Sequence, residues 1–331
     1  MNLKRFICTL PLLGLFTAAG ASAAAGQPES GQLPYWQDLR VLSVNRQAPR
    51  TAFMTYADRT SAMTMRYEES AFYRSLNGTW KFLYTDDSRT LPADVTSCDT
   101  SSWADITVPG NWEKQGFGTA VYVNQPYEFR THNPQPPQLP EVNPAGVYSR
   151  TFSVPAEWAG RDVFLHLAGA KSGVYVYVNG REVGYNEDSK NPAEYLINDY
   201  INDGENRLDV KIYRWSTGSY LECQDFWRIS GIERDVFLWS QPKSAISDFR
   251  IKSMLESDLT HGDFKVTADL VNHRSEDVQL TLRVDMLDAE GREAFPGENR
   301  ISVTLPAGSG QSVGFGSDNL EVHPWSAEDP Y

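Results

Sequence analysis

A chain of 331 residues with 40% hydrophobic and 12% aromatic content can bury more than one core, which excludes a disordered or fibrous chain and predicts roughly two domains. Lys and Arg total 30 against 43 Asp and Glu, a formal charge of -13. The cations are scattered rather than gathered into a stripe, so a nucleic-acid partner is not expected.

The chain opens on MNLKRFICTLPLLGLFTAAGASAAA. Lys4 and Arg5 give a basic start, Pro11 and Gly14 interrupt an apolar run too short to span a bilayer, and Ala21-Ser22-Ala23 supplies a small-residue exit. Residues 1–24 therefore read as a signal peptide, and the protein is expected to be secreted or periplasmic. Cys8 follows Arg5-Phe6-Ile7, a poor context for lipid attachment, and no later stretch is apolar enough to cross a membrane. Residues 25–50 read as an extended arm. The remaining cysteines, Cys98 and Cys223, read as two separate thiols. The five histidines never fall at ligand spacing with each other or with a cysteine, so zinc is not expected.

From residue 51 onward the signal is β. VFLHL (163–167), VYVYV (174–178), REVGY (181–185) and RLDVKIY (207–213) are short and rich in β-branched and aromatic residues. Asn179-Gly180 between two of them favours a type I′ hairpin. Breakers recur about every ten residues, as in a β-sandwich. Beyond Gln241-Pro242 a second series begins, DFRIKSML, DFKVTADLVN, VQLTLRVDMLD, ISVTLPAG and SVGFG, with a turn at 288–291. The fold class is all-β. Asn77-Gly-Thr79 matches a glycosylation acceptor but reads as a turn. GSGQSVGFG (308–316) lacks the ending of a phosphate loop.

Six ordered motifs carry a resemblance: SLNGTWKF (75–82), VPGNWEKQGFGTAVYVNQPYEF (108–129), NPAGVYSRTF (143–152), YVNGREVGYNEDSKNPAEY (177–195), ENRLDVKIYRWSTGSYLECQDFWRISGIERDVFL (205–238) and PWSAEDPY (324–331). In this order they resemble the N-terminal part of glycoside hydrolase family 2 β-galactosidases. The resemblance implies a jelly-roll sugar-binding domain over 51–241 and an immunoglobulin-like sandwich over 242–331, truncated before its last strands. A catalytic (β/α)₈ barrel follows these domains in the family. Its two glutamates lie on barrel strands, so no glutamate here inherits a catalytic role, and the isolated chain is expected to be inactive. Ending on PWSAEDPY favours a fragment of a longer enzyme over a free-standing carbohydrate-binding or scaffold module. β-Glucuronidases and β-mannosidases share the architecture and remain alternatives.

Glu222 and Asp225 flank an aromatic pair, but their spacing on an extended segment turns them to different faces, against a catalytic dyad. By resemblance, Asp225 in LECQDFW reaches the active-site mouth, accepts hydrogen bonds from galactose hydroxyls and helps bind sodium. By resemblance too, the amide of Asn124 in AVYVNQPYEF sits on the galactose ring. Phe226, Trp227 and Ile229 are expected to anchor the loop by burial, Trp112 and Tyr122 to pack in the core, and Arg228 to pair with a nearby carboxylate rather than touch substrate; a surface salt bridge there would contribute little. Thr217 stands where enterobacterial-type relatives carry an aspartate for magnesium, which puts that cation in doubt here. Cys223 and Pro126 are further departures. Sodium and magnesium are thus implied for a full-length enzyme, neither binding this part tightly. The partners implied are a galactoside, the barrel of the same polypeptide and further copies of a full-length chain.

Overall fold

The computed structural model describes residues 33–124, 127–129, 133–288, 290–295 and 297–330; the signal-peptide reading and Pro126 lie outside them. Period-two alternation builds the first sandwich. One sheet runs in the order Ser43–Val44, Arg181–Asn186, Gly173–Val178, Glu205–Tyr213, Ala145–Ser153, Gly78–Thr85 and Ala104–Val108. The other runs Ala193–Leu196, Asp162–Leu167, Val236–Gln241, Tyr73–Ser75. Val174, Val176, Val178, Leu208, Val210 and Ile212 of the first sheet share one core with Val163, Leu165, Leu167, Val236 and Leu238 of the second. Each such side chain contributes roughly 1.5–3 kcal/mol on burial. The hairpin turn is as expected, with positive φ at Asn179 and Gly180 (51° and 77°).

The residues between those inward positions are also apolar, because both outer faces are covered. Phe164, Phe237 and Trp239 pack against Met54 on the second sheet. Tyr175 and Tyr185 pack against Trp36 on the first, and the Trp36 ring stacks on Tyr213 at 4.8 Å. Chain segments preceding the sandwich strands thus close its faces, which is why these strands read as nearly continuous apolar runs rather than clean alternation. Gly146 lies where a Cβ would come within 2.6 Å of the Phe82 ring and 2.7 Å of the Trp112 ring, so only glycine allows those rings to close over the strand.

A second, smaller sandwich follows. Ser244–Leu255, His261–Asn272 and Gly310–Glu321 form one sheet, Val278–Arg283 and Arg300–Leu305 a two-stranded partner. Its core holds Ala268, Leu270, Val303, Leu305 and Val313, with Leu280 and Leu282 half-buried against them. Val266 is also buried. Ile251, Met254 and Leu255, at the far end of the first of these strands, are exposed. The Thr51 amide donates to Asp248 (2.9 Å) and His273 meets the buried Asp162 (2.7 Å), tying the two sandwiches together. A small core with a half-covered sheet opens more readily than a large one. Limited proteolysis is therefore expected to cut after about residue 241 first and to leave a resistant core from about 50 to 240. Equal resistance of both regions on a gel time course would contradict this.

Asn77 is held as a turn residue. Its amide donates to Asp235 (2.9 Å) and its carbonyl accepts from the Val236 amide (2.9 Å). Cys98 and Cys223 are separate thiols.

Candidate functional site

At one end of the first sandwich, Gly231–Ile232 pairs with Gly110–Asn111 on one side and Ala170–Lys171 on the other. The segment before it pairs antiparallel with the strand-like stretch after Thr119. The Arg228 amide donates to the Val121 carbonyl (2.7 Å) and the Val121 amide returns the bond (3.4 Å). In an antiparallel pair each step forward on one strand is a step back on the other. Tyr122 therefore faces Trp227, and their rings lie 5.6 Å apart. Beyond this isolated bridge the chain bends at residues 225–226, where the Phe226 amide bonds the Gln224 carbonyl (2.9 Å), and Asn124 and Asp225 each lie two residues beyond the facing rings. Both are exposed, and neither side chain makes a hydrogen bond among the described residues. An uncommitted amide that donates and accepts and an uncommitted carboxylate thus lie close in sequence to the Tyr122–Trp227 pair, a combination of groups suited to a ring of hydroxyls.

Buried charges hold this rim. Arg214 donates to the carbonyls of Thr119 (3.1 Å) and Arg228 (3.2 Å), stapling the two segments from below. Its guanidinium lies 3.5 Å from the fully buried Glu113, which accepts the Ser230 amide at 2.8 Å. Burial pushes the Glu113 carboxyl up, opposed by the Ser230 amide and by Arg214. Arg228 sits 3.7 Å from Glu128, their side chains 2% and 6% exposed, and Glu128 also takes the Trp215 indole N–H at 2.9 Å. Buried pairs of this kind add little net stability over apolar packing, but breaking one is costly, so they fix geometry.

Several expectations change here. Arg228 does pair with a nearby carboxylate, Glu128, and the pair lies in the interior. Trp112 is buried as expected, whereas Tyr122 is 58% exposed and does not pack in the core. Trp227 is likewise 55% exposed and cannot anchor the loop by burial; the anchoring is done by Arg228 and Arg214 instead. Phe226 is half-buried between the ammonium groups of Lys171 (5.5 Å) and Lys190 (5.2 Å). Burial lowers the affinity of Lys171 for its proton, partly offset by Glu128 and Glu233. Glu222 turns away from Asp225 and accepts from the Ser189 amide (2.8 Å) and hydroxyl (2.5 Å), a structural role. Cys223 donates to the Ser219 carbonyl, and burial pushes its thiol up to about 11, which leaves it a poor nucleophile.

Cation binding was tested on the donors present. The exposed Asp225 carboxylate fits one ligand position of a hard cation, yet the described residues hold no group of three or more acidic, His or Cys side chains that could close a site. Thr217 is buried and donates to Glu187 (2.7 Å), which also takes the Tyr185 hydroxyl (2.5 Å) and Gly218 amide (2.6 Å). With that carboxylate committed, a magnesium site does not fit these residues.

Two successive β-sandwiches, the larger built of a seven-stranded and a four-stranded sheet, define an all-β protein of the multi-domain sandwich class. The chain belongs to glycosyl hydrolase family 2. Residues 73–242 match that family's sugar binding domain and residues 244–331 match the domain described as glycosyl hydrolases family 2. A β-galactosidase of Priestia megaterium is 35% identical over 308 residues, covering 92% of this chain and 30% of that protein. One of Halalkalibacterium halodurans is 35% identical over 304 residues, covering 89% and 28%. The chain therefore spans about 30% of the length of the curated relatives it matches. Among solved structures, a calcium-binding mutant of Bacteroides uniformis β-glucuronidase 2 superposes with a TM-score of 0.62 at 21% identity, covering 78% of this chain and 29% of that one. At such identity the likeness is one of fold.

Proposed function

We propose that this chain forms the front part of a β-galactosidase that hydrolyses terminal β-D-galactosides with retention, and that it supplies substrate contacts and scaffold rather than the reacting carboxyls. The observation that supports the reading is that Asn124 and Asp225, each two residues beyond the Tyr122–Trp227 contact, are exposed with side chains uncommitted among the described residues. Retention needs two carboxyl groups roughly 5 Å apart across the scissile bond. In this reading they come from a barrel in the same polypeptide, against which the rim docks. Asp225 then accepts from galactose hydroxyls and supplies one oxygen to a sodium ion completed by that barrel, and Asn124 bonds the same ring. The signal-peptide pattern of residues 1–24 supports export from the cytoplasm, and in this reading the full-length enzyme assembles there with further copies.

Relatives at 35% identity named β-galactosidases support the sugar assignment over glucuronide or mannoside. The test is to assay the chain alone and continuous with its downstream coding sequence on nitrophenyl β-galactoside, β-glucuronide and β-mannoside. The longer protein is expected to prefer galactoside by at least about tenfold in kcat/KM, and the chain alone to show no turnover. Preference for glucuronide, or a stop codon directly after Tyr331, would overturn the assignment.

A further inference from the structure

The outward face of the four-stranded sheet carries a cleft of about 670 Å³ that shares no lining residue with the Asn124–Asp225 rim. Its floor is aromatic. Phe237 meets Tyr73 at 5.0 Å and Tyr67 at 6.1 Å, and the His166 ring stacks on Phe237 at 4.2 Å. One end is closed by charge: Arg50 grips Glu194 with two bonds of 2.9 Å, and Glu194 also binds His166 (2.7 Å) and the Trp239 indole (2.9 Å). Glu194 is thereby committed and acts only to hold Arg50 and His166 in place. The lip is polar, with the exposed carboxylates of Glu68 and of Asp235, which takes the Asn77 amide at 2.9 Å, beside the Arg66 guanidinium, 3.6 Å from Glu69, and the Asn191 amide, which donates to Asp188 at 2.9 Å.

We propose that this cleft is a second binding site, for a neutral saccharide of one or two rings. Its size lies in the range of about 300–1,000 Å³ typical of small-ligand sites, and an apolar floor with a few polar groups at the lip is their usual lining. Flat rings accept the C–H face of a pyranose, and a lip that alternates acceptors with donors suits hydroxyls, which do both. An amine offers donors only and makes no use of the exposed Arg66 guanidinium. A phosphorylated or acidic ligand meets Glu68 and Asp235. The proposal does not depend on the galactosidase reading, since it uses none of the rim residues.

Calorimetric titration of the whole chain with lactose, backed by saturation-transfer NMR, tests it. Saturable binding is expected, weakened at least about tenfold by Tyr67→Ala, weakened several-fold by Glu68→Gln and retained in Asp225→Ala. Glu68 is exposed, so Glu68→Gln keeps the test valid should Tyr67→Ala fail to fold. Absence of saturable binding overturns the proposal. So does binding lost in Asp225→Ala but indifferent to Tyr67→Ala and Glu68→Gln, which would assign it to the rim and leave the galactosidase reading intact. Binding of putrescine in preference to lactose would also overturn it.

Discussion

Glu194→Ala should lower the unfolding free energy of the first sandwich by about 3–5 kcal/mol, the cost of breaking a buried ion pair rather than of losing one surface contact. The carboxylate accepts four hydrogen bonds from three groups: two from Arg50, one from His166 and one from the Trp239 indole. Truncation leaves a guanidinium, an imidazole and an indole N–H without their acceptor in a site where Arg50 and His166 are themselves mostly buried. Arg50 also lies 4.5 Å from the Trp239 ring and 4.4 Å from Phe53, so it cannot swing into water without uncovering them. A drop below about 1 kcal/mol in urea unfolding would mean that water replaces the carboxylate at little cost.

The same carboxyl makes stability depend on pH. Burial alone would raise it, but hydrogen bonds from His166 and Arg50, with the charge of Arg50, outweigh burial and hold it below its ordinary value of 4.5. A group depressed in the folded state contributes stability above its unfolded value and loses it as pH falls through the folded one. Wild type should therefore weaken progressively below about pH 4.5, and Glu194→Gln, already weaker at pH 7, should show a flatter acid limb. Parallel acid limbs would place the dependence on other carboxyls.

The sequence made the strands and the hairpin legible because their signals are local: alternation in VYVYV, positive-φ residues at Asn179-Gly180. It was silent on the constellation around Glu194. Its members come from the arm, two strands and a third strand far along the chain, and nothing in the spacing of Arg50, His166, Glu194 and Trp239 announces that sheet order will gather them. Arg228 shows the same limit: its carboxylate, Glu128, lies a hundred positions upstream, so only the direction of its pairing could be read and not its depth. Tyr122 and Trp227 were misjudged as packing residues because large aromatics are usually buried. On a short bridge at the end of a sandwich they have no second layer above them, and they cover each other instead. The apolar outward positions of Phe164, Phe237 and Trp239 blurred the alternation for a reason visible only in three dimensions, the packing of Met54, Tyr56 and Tyr67 against them.

In the longer enzyme, Asp225→Ala should reduce kcat/KM on a nitrophenyl galactoside by about 10- to 100-fold per hydroxyl bond lost, since hydrogen bonds to charged groups contribute roughly 1.5–3 kcal/mol each. Asn124→Ala removes a neutral partner and should cost only about 2- to 10-fold, at roughly 0.5–1.5 kcal/mol. Neither change should disturb the fold, because both side chains are exposed and uncommitted while the segments that carry them are held by Arg214 and Arg228. Because both bond the same galactose ring in this reading, the two should not be independent. The double variant is expected to lose less than the product of the single losses, since a galactose freed from one contact is already misplaced for the other. The split between constants separates two roles. A rise in KM at constant kcat would mean contacts of equal strength in the bound and transition states, whereas a matched fall in kcat and kcat/KM would mean that Asp225 acts where charge develops. Asp225→Asn keeps the shape and removes the charge. It should weaken the response of activity to added sodium while retaining more activity than alanine, because an amide oxygen still accepts a hydroxyl but binds a hard cation less strongly. Unchanged kinetics and sodium response in all three single variants would remove the rim from the substrate and leave these residues as surface.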